Sequence, residues 1–513
     1  MKKNFKIFAS LCFLFGIVFL TLLMSSIFIS EYFAIGFIVF HLVSILFAAI
    51  VIISKNRRME TRIRWAAFII LVPIVGITCY FFFGRVYKYK TDKKYKYKNF
   101  SDFGNEAKID MKRHVKDVLK NDIPQYRRSY IMGYNQQEDL IYDKTNVTLL
   151  DNGTDFWRSA IDEMKKAKEY ILINFYIIKD GELLSNLVNV LKQKASEGVS
   201  VYIIYDFVGC YTIFKKSTKK ELKKAGIKLV PFSRQILPFI NWTVNYRDHR
   251  KDISIDGKVG FVGGINLGDE YINLDKHFGF WHDAHIRIEG SAVQGIEKIF
   301  ASDWSFCKKQ RERITDLEPS VGKLHPIRTD SDDLVQIVSS GPNHKSAMHL
   351  DVLLNLIANA QDRIWISTPY FIPPTEVIDA LASAARSGID VRLVLPGMTD
   401  KTMLLDVSKR WTRPLFEAGV RIYSINNVFN HTKSYLFDQK ISFVGSTNLD
   451  FRALFSDQQT MALIKSDDFN KELEKRFEWD FSKSFEYTFL PNQELSFGKR
   501  IMVKTFNIIS PLL

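Results

Sequence analysis

Hydrophobic positions crowd the start of the chain and then give way to short alternating blocks. Ile7–Ile29 is an uncharged apolar run of 23 residues, Tyr32–Ser54 is a second broken only by His41, and Trp65–Phe83 is a third of 19. At 1.5 Å of rise per residue each run can span a hydrocarbon core of about 30 Å. The pattern therefore predicts a transmembrane region over 1–86, with helices at about 7–29, 32–54 and 65–83. A cleaved signal peptide would show one shorter apolar core and no further runs behind it. Residues 87–146 read as a basic linker and connecting segment. Its start, Tyr87–Lys98, alternates aromatic and ammonium groups, a composition suited to lipid headgroups.

From residue 147 the pattern becomes globular, and it repeats. Lys168–Ile178, Leu183–Asp206 and Leu222–Phe232 have counterparts in Gln361–Ile372, Val377–Gly397 and Phe416–Ile425. Each set predicts a strand, an amphipathic helix ending at Gly198 or Gly388, a buried strand, a helix, an Ala-Gly turn and a strand. Alternating strands and helices imply an α/β layered fold. The expected bounds are 147–325 and 326–513, with the two domains related by a pseudo-twofold axis.

A total of 513 residues exceeds what one core accommodates. The net charge of +15 calls for an anionic partner, nucleic acid or an acidic membrane surface, and the apolar runs favour the membrane. Eight basic residues before the third run face seven after it, so charge bias leaves the orientation open. The four cysteines form no C-x-x-C pair, so neither a disulfide framework nor a zinc site is indicated. With no Walker loop or EF-hand either, neither a metal nor another cofactor is expected.

The candidate chemistry lies in a second repeat. Asp248–Asn266 and Asn430–Asn448 align without a gap, each carrying H-x-K-x4-D followed by Phe-Val-Gly and an Asn. The candidate catalytic residues are His249, Lys251 and Asp256 in one copy, and His431, Lys433 and Asp438 in the other. Residues two apart on a strand face one side, so each His shares a space with its Lys. Two such halves supply what metal-free phosphodiester chemistry needs. One imidazole attacks phosphorus, the other protonates the leaving oxygen, and Lys251, Lys433, Asn266 and Asn448 hold the phosphoryl oxygens. Asp256 and Asp438 are expected to brace the motif more than to react.

This duplicated motif resembles the signature of the phospholipase D superfamily. The segments Ile69–Arg85, Trp281–Gly290, Ser339–Pro342, Ser367–Pro373 and Gly445–Ala453 narrow the likeness to bacterial cardiolipin synthases. The resemblance implies two phospholipase D-like α/β/α domains behind a membrane region. It implies a multi-pass cell-membrane enzyme that joins two phosphatidylglycerol molecules into cardiolipin and glycerol through a phosphohistidine. The expected partners are phosphatidylglycerol and anionic membrane lipid, not nucleic acid, with the catalytic part most economically at the cytoplasmic face.

His249 is then the nucleophile and His431 the acid, although near-symmetry permits the reverse. An acidic residue downstream of each motif orients the histidine in that family. Asp283 fits the first side, while Gln459 stands where a Glu is usual on the second, which leaves His431 as the less basic imidazole. Asp252 also departs from the usual apolar residue and is expected to face solvent. Hydrolysis, transfer to another alcohol, and anionic-lipid binding without turnover remain the alternatives.

Overall fold

The computed structural model describes residues 31–54, 58–84, 123–137, 139–234, 246–275, 279–307, 329–331, 333–344, 346–399 and 402–488, with isolated positions at 317, 321 and 503. The chain divides into two units, one formed by 1–88, 235–245 and 504–513 and the other by 89–234 and 246–503.

In the first unit, α1 (Glu31–Ile53) is followed by α2 (Met59–Leu71) and α3 (Pro73–Phe83). The third apolar run, expected as one helix over 65–83, is thus two shorter helices that begin earlier. Pro73 has no N–H to donate to a preceding carbonyl, so it opens a new helix at its first position. Trp65 is buried where the helices meet, its ring 5.3 Å from that of Tyr80. Among the described residues no helix is long and apolar enough to cross a membrane. The part of α1 whose side chains are described without a gap, 38–53, is about 24 Å long. The run at 7–29 lies outside the described residues.

The second unit opens with α4 (Arg127–Gln137), β1 (Ile141–Tyr142) and β2 (Thr145–Leu150), followed by α5 (Gly153–Lys166), β3 (Tyr170–Phe175), α6 (Glu182–Ser196) and β4 (Ser200–Asp206). Then come α7 (Lys216–Lys224), β5 (Lys228–Phe232), β6 (Lys251–Ile255), β7 (Val259–Gly263), β8 (Phe280–His282), β9 (His285–Gly290) and α8 (Val293–Cys307). The second half begins with β10 (Leu334–Ser340), α9 (Met348–Asn359), β11 (Arg363–Ser367), β12 (Phe371–Ile372), α10 (Thr375–Arg386) and β13 (Asp390–Pro396). It continues with α11 (Thr402–Trp411), α12 (Arg413–Glu417), β14 (Arg421–Ile425), β15 (Val428–Asn430), β16 (Ser434–Phe437) and β17 (Ile441–Gly445). Last are β18 (Leu449–Asp450), α13 (Phe451–Phe455), β19 (Gln459–Lys465), α14 (Asp467–Lys483) and β20 (Ser484–Glu486).

The halves share one topology. The first sheet runs β2-β9-β7-β6-β3-β4-β5, and the second runs β10-β19-β17-β16-β11-β13-β14, with β1 and β20 added at its edges. In each, three parallel strands are extended by antiparallel ones beginning with the motif strand, β6 or β16. Both long crossover helices end at a left-handed glycine, Gly198 and Gly388, each at φ +92°. Only glycine takes that turn without strain.

Helices α5 and α6 cover one face of the first sheet, and α8 packs Phe300 and Trp304 against the other, which makes α/β/α layers. A further apolar core joins the halves, with Val262, Ile286 and Ile296 meeting Ile337, Leu436 and Val444. The two repeats are therefore one compact unit. The connecting segment also departs from a plain linker. Ile123, Tyr126, Tyr130 and Ile141 are apolar and buried in the second half's core, and β1 pairs with β10.

Candidate active site

The motif strands are placed by their own aspartates. Asp256 sits at φ +51° just past β6, and its carboxylate accepts the backbone N–H groups of Lys168, Glu169 and Tyr170 at 2.8–2.9 Å. Asp438, at φ +52°, does the same for Gln361, Asp362 and Arg363, and accepts a 2.6 Å hydrogen bond from the Tyr126 hydroxyl. Five residues of strand put each aspartate about 17 Å along the chain from its lysine. Both carboxylates lock the start of the neighbouring strand, so the catalytic candidacy of Asp256 and Asp438 gives way to a bracing role.

At the other end of these strands the two halves exchange contacts. The His249 N–H donates to the Gln458 carbonyl at 2.9 Å, and the His431 N–H donates to the His282 carbonyl at 2.7 Å. β8 and β15 pair in parallel directly beside the second of these. Each motif histidine is thereby fastened to the residue just before the other half's orienting residue.

The consequence is a crossed arrangement. Asp283 Oδ2 lies 2.6 Å from His431 Nδ1, and Gln459 Oε1 lies 3.1 Å from His249 Nδ1. The same-side pairing expected for Asp283 and Gln459 is therefore corrected. Sequence order cannot show which half an orienting residue reaches into; the pairing of β8 with β15 decides it. The carboxylate therefore meets His431 and the amide meets His249, the reverse of the expected assignment. Burial alone would raise the Asp283 carboxyl, but Lys433 and His431 outweigh it and hold it at about 2.

The charges differ between the two sides. His249 is held well below the usual imidazole range, first by burial and then by Lys251 and Lys433. Lys251 is likewise lowered by burial and by the second ammonium. Its Nζ donates to the His249 carbonyl at 2.6 Å, while Lys433 Nζ reaches Asp283 Oδ2 at 3.2 Å and His431 Nδ1 at 2.5 Å. The aromatic walls follow the same split, with Tyr176 4.7 Å from the His249 ring and Trp281 5.0 Å from that of His431.

Of the two asparagines, Asn266 is committed to structure. Its Oδ1 accepts from the Ile177 N–H and its Nδ2 donates to the Tyr271 hydroxyl, both at 3.2 Å. Asn448 is buried with no hydrogen-bond partner at Oδ1. A carboxamide oxygen and nitrogen differ only by a flip, and of the pair Asn448 is the one whose amide keeps an unpartnered buried atom.

Sequence reasoning missed Arg250. Lying between His249 and Lys251, it points away from their shared space into the other half. Its guanidinium donates to the Gln459 carbonyl at 2.5 Å and to Gln458 Oε1 at 3.0 Å, and pairs with Asp303 at 2.9 Å. Asp252, expected in solvent, is buried beside it and accepts a 2.6 Å hydrogen bond from Thr460 Oγ1. The run Asp248–Asp252, charged at every position but His249, was the available signal. A strand edge facing water has no need of charge on both faces.

The family model described as "Cardiolipin synthase, PLD-like domain" matches residues 160–304 and 353–481, covering both histidines and both orienting residues. The chain belongs to the cardiolipin synthase family. A second model, "Phospholipase_D-nuclease N-terminal", matches 43–85. The cardiolipin synthase of Halalkalibacterium halodurans is 33% identical over 474 residues, covering 92% of each chain. That of Alkalihalophilus pseudofirmus is 31% identical over 517 residues, covering the whole of both. The phosphatidylserine synthase structure from Haemophilus influenzae shares the fold, with a TM-score of 0.58 at 13% identity over 75% of this chain and 100% of that one. As a member of the cardiolipin synthase family, this chain is a phosphatidyltransferase.

Proposed function

We propose that this cardiolipin synthase family enzyme moves a phosphatidyl group from one phosphatidylglycerol to another at the membrane, releasing glycerol. The observation that carries the mechanism is the crossed pairing of an amide with His249 and a carboxylate with His431. With Nδ1–H donated to Gln459, the neutral His249 keeps its Nε2 lone pair for phosphorus. Asp283 favours imidazolium at His431, which suits a proton donor.

In the first step His249 Nε2 bonds to phosphorus, the bond from phosphorus to the glycerol oxygen breaks, and His431 gives that oxygen its proton. In the second, the primary hydroxyl of another phosphatidylglycerol attacks the phosphatidyl-histidine. His431 takes back a proton, and His249 leaves. Lys251, Lys433 and Asn448 offset the charge of the phosphoryl oxygens.

Membrane embedding is supported by α1, where Ile38, Leu42, Leu46 and Ile53 are 57–75% exposed. An apolar helix face left open in this way is stable only against lipid or another apolar surface. A catalytic part at the cytoplasmic face of the cell membrane completes the proposal.

The test uses the full chain in phosphatidylglycerol vesicles with chelator present, beside His249→Ala. Cardiolipin with equimolar glycerol, absent in the variant, is the expected result. Phosphatidic acid in place of cardiolipin would make the enzyme a hydrolase instead.

A further inference from the structure

Among the described residues the second unit exposes seven large apolar side chains, and five of them stand next to the walls of the site. Val208 (43% exposed) and Tyr211 (57%) lie on the turn after β4. That turn rests on the wall beside His249. Gly209 is so close that a Cβ there would come within 2.4 Å of the Tyr176 carbonyl and 3.0 Å of its ring. Cys210 Sγ also accepts the Ile178 N–H at 3.2 Å.

The other three gather around β8, whose Trp281 forms the wall beside His431. Phe280 (49% exposed) precedes Trp281 in β8 and projects from the other face of that strand, its ring 6.4 Å from that of His282. Leu274 (56%) follows Asn273, whose side chain hydrogen-bonds both the N–H and the carbonyl of Trp281 at 2.6 and 3.1 Å. Met398 (40%) is packed at Gly279, just before Phe280. The segments that wall both histidines thus carry apolar side chains in water, a pattern that marks an interaction surface.

The charge beside the first rim indicates the partner. Helix α7 directly follows that turn, and Lys215, Lys216, Lys220, Lys223 and Lys224 are all exposed. The single acidic side chain within α7, Glu221, is held by Lys192 at 2.7 Å. Lys219 ties the helix to the rim, its ammonium lying over the Tyr205 and Phe214 rings. Apolar and aromatic tips beside a lysine-rich face match an anionic bilayer, into which the tips insert while ammonium groups meet headgroups.

We propose that Val208, Tyr211, Leu274, Phe280 and Met398, with the lysines of α7, dock the site's mouth directly into an anionic phospholipid bilayer, so that lipid enters without crossing water. This rests on the phosphatidyl-transfer reading, but its test need not. None of the five touches the histidines.

The experiment compares the full chain with Val208→Ser/Tyr211→Ser and Leu274→Ser/Phe280→Ser in proteoliposomes containing phosphatidylglycerol. Each pair is assayed again on monomeric short-chain phosphatidylglycerol in detergent-free buffer. Removing two apolar anchors is expected to lower turnover on bilayer lipid about tenfold, with the monomeric substrate changed less than about twofold. Equal loss on both substrates, or loss on neither, overturns the docking proposal. If the parent turns over neither substrate, the transfer reading fails separately. Docking is then still decided by Tyr211→Trp, whose added fluorescence must be quenched by lipids brominated along the acyl chain; fluorescence insensitive to them would overturn it.

Discussion

Replacing Asp283 with Asn removes a charge while keeping the shape and one hydrogen-bond acceptor at His431. The carboxylate oxygen is 2.6 Å from Nδ1, and both side chains are nearly or wholly shielded from solvent. At an effective dielectric near 20, unit charges about 4 Å apart attract by about 4 kcal/mol. The amide returns about 1 kcal/mol as a neutral hydrogen bond. A net loss of about 3 kcal/mol in the state where His431 carries charge corresponds to a rate roughly 100-fold lower. The assay follows cardiolipin and glycerol release from labelled phosphatidylglycerol vesicles. It is repeated with a phosphatidyl ester of p-nitrophenol, a leaving group that needs no proton. Asp283→Asn should release the first equivalent of p-nitrophenol within about fivefold of the parent rate, because His249 still attacks unaided. His249→Ala should release none. An equally deep loss on both substrates would refute the crossed assignment, since Asp283 would then be serving the nucleophile.

Gln459→Glu places a carboxylate on His249, whose proton affinity burial and two lysines now depress. The nucleophile must be neutral, so the acid limb of kcat/KM should move to higher pH; an unmoved limb would show that Gln459 does not act through His249. Tyr126→Phe deletes the 2.6 Å hydrogen bond to Asp438, and thermal unfolding should report a loss of about 1–2 kcal/mol with turnover nearly unchanged. Burial raises Asp252 to about 7. A carboxyl raised on folding binds its proton more tightly in the folded protein, so its contribution to stability falls as pH climbs from about 4 to about 7. Asp252→Asn should therefore raise the melting temperature at pH 7.5 and leave it little changed near pH 4. The same shift at both pH values would exclude this origin.

Much of the architecture is local in character and therefore legible. The strand and helix periods, the glycine stops at Gly198 and Gly388, and the duplicated H-x-K-x4-D are set by neighbours within a few residues. So two α/β halves and the pairing of each histidine with its lysine could be read from the chain alone. The break at Pro73 was also written there, although uniform hydrophobicity hid it.

Other features were decided by tertiary structure. Asp283 serves His431 and Gln459 serves His249 because the halves exchange strand contacts across their interface. That partnership spans 148 residues in one case and 210 in the other, and no periodicity reports across such distances. Burial decided the rest. Asp252 read as solvated charge in a strand and Arg250 drew no reading at all, yet they form the polar seam between the halves, because the second sheet excludes water from the face that a single half would leave exposed.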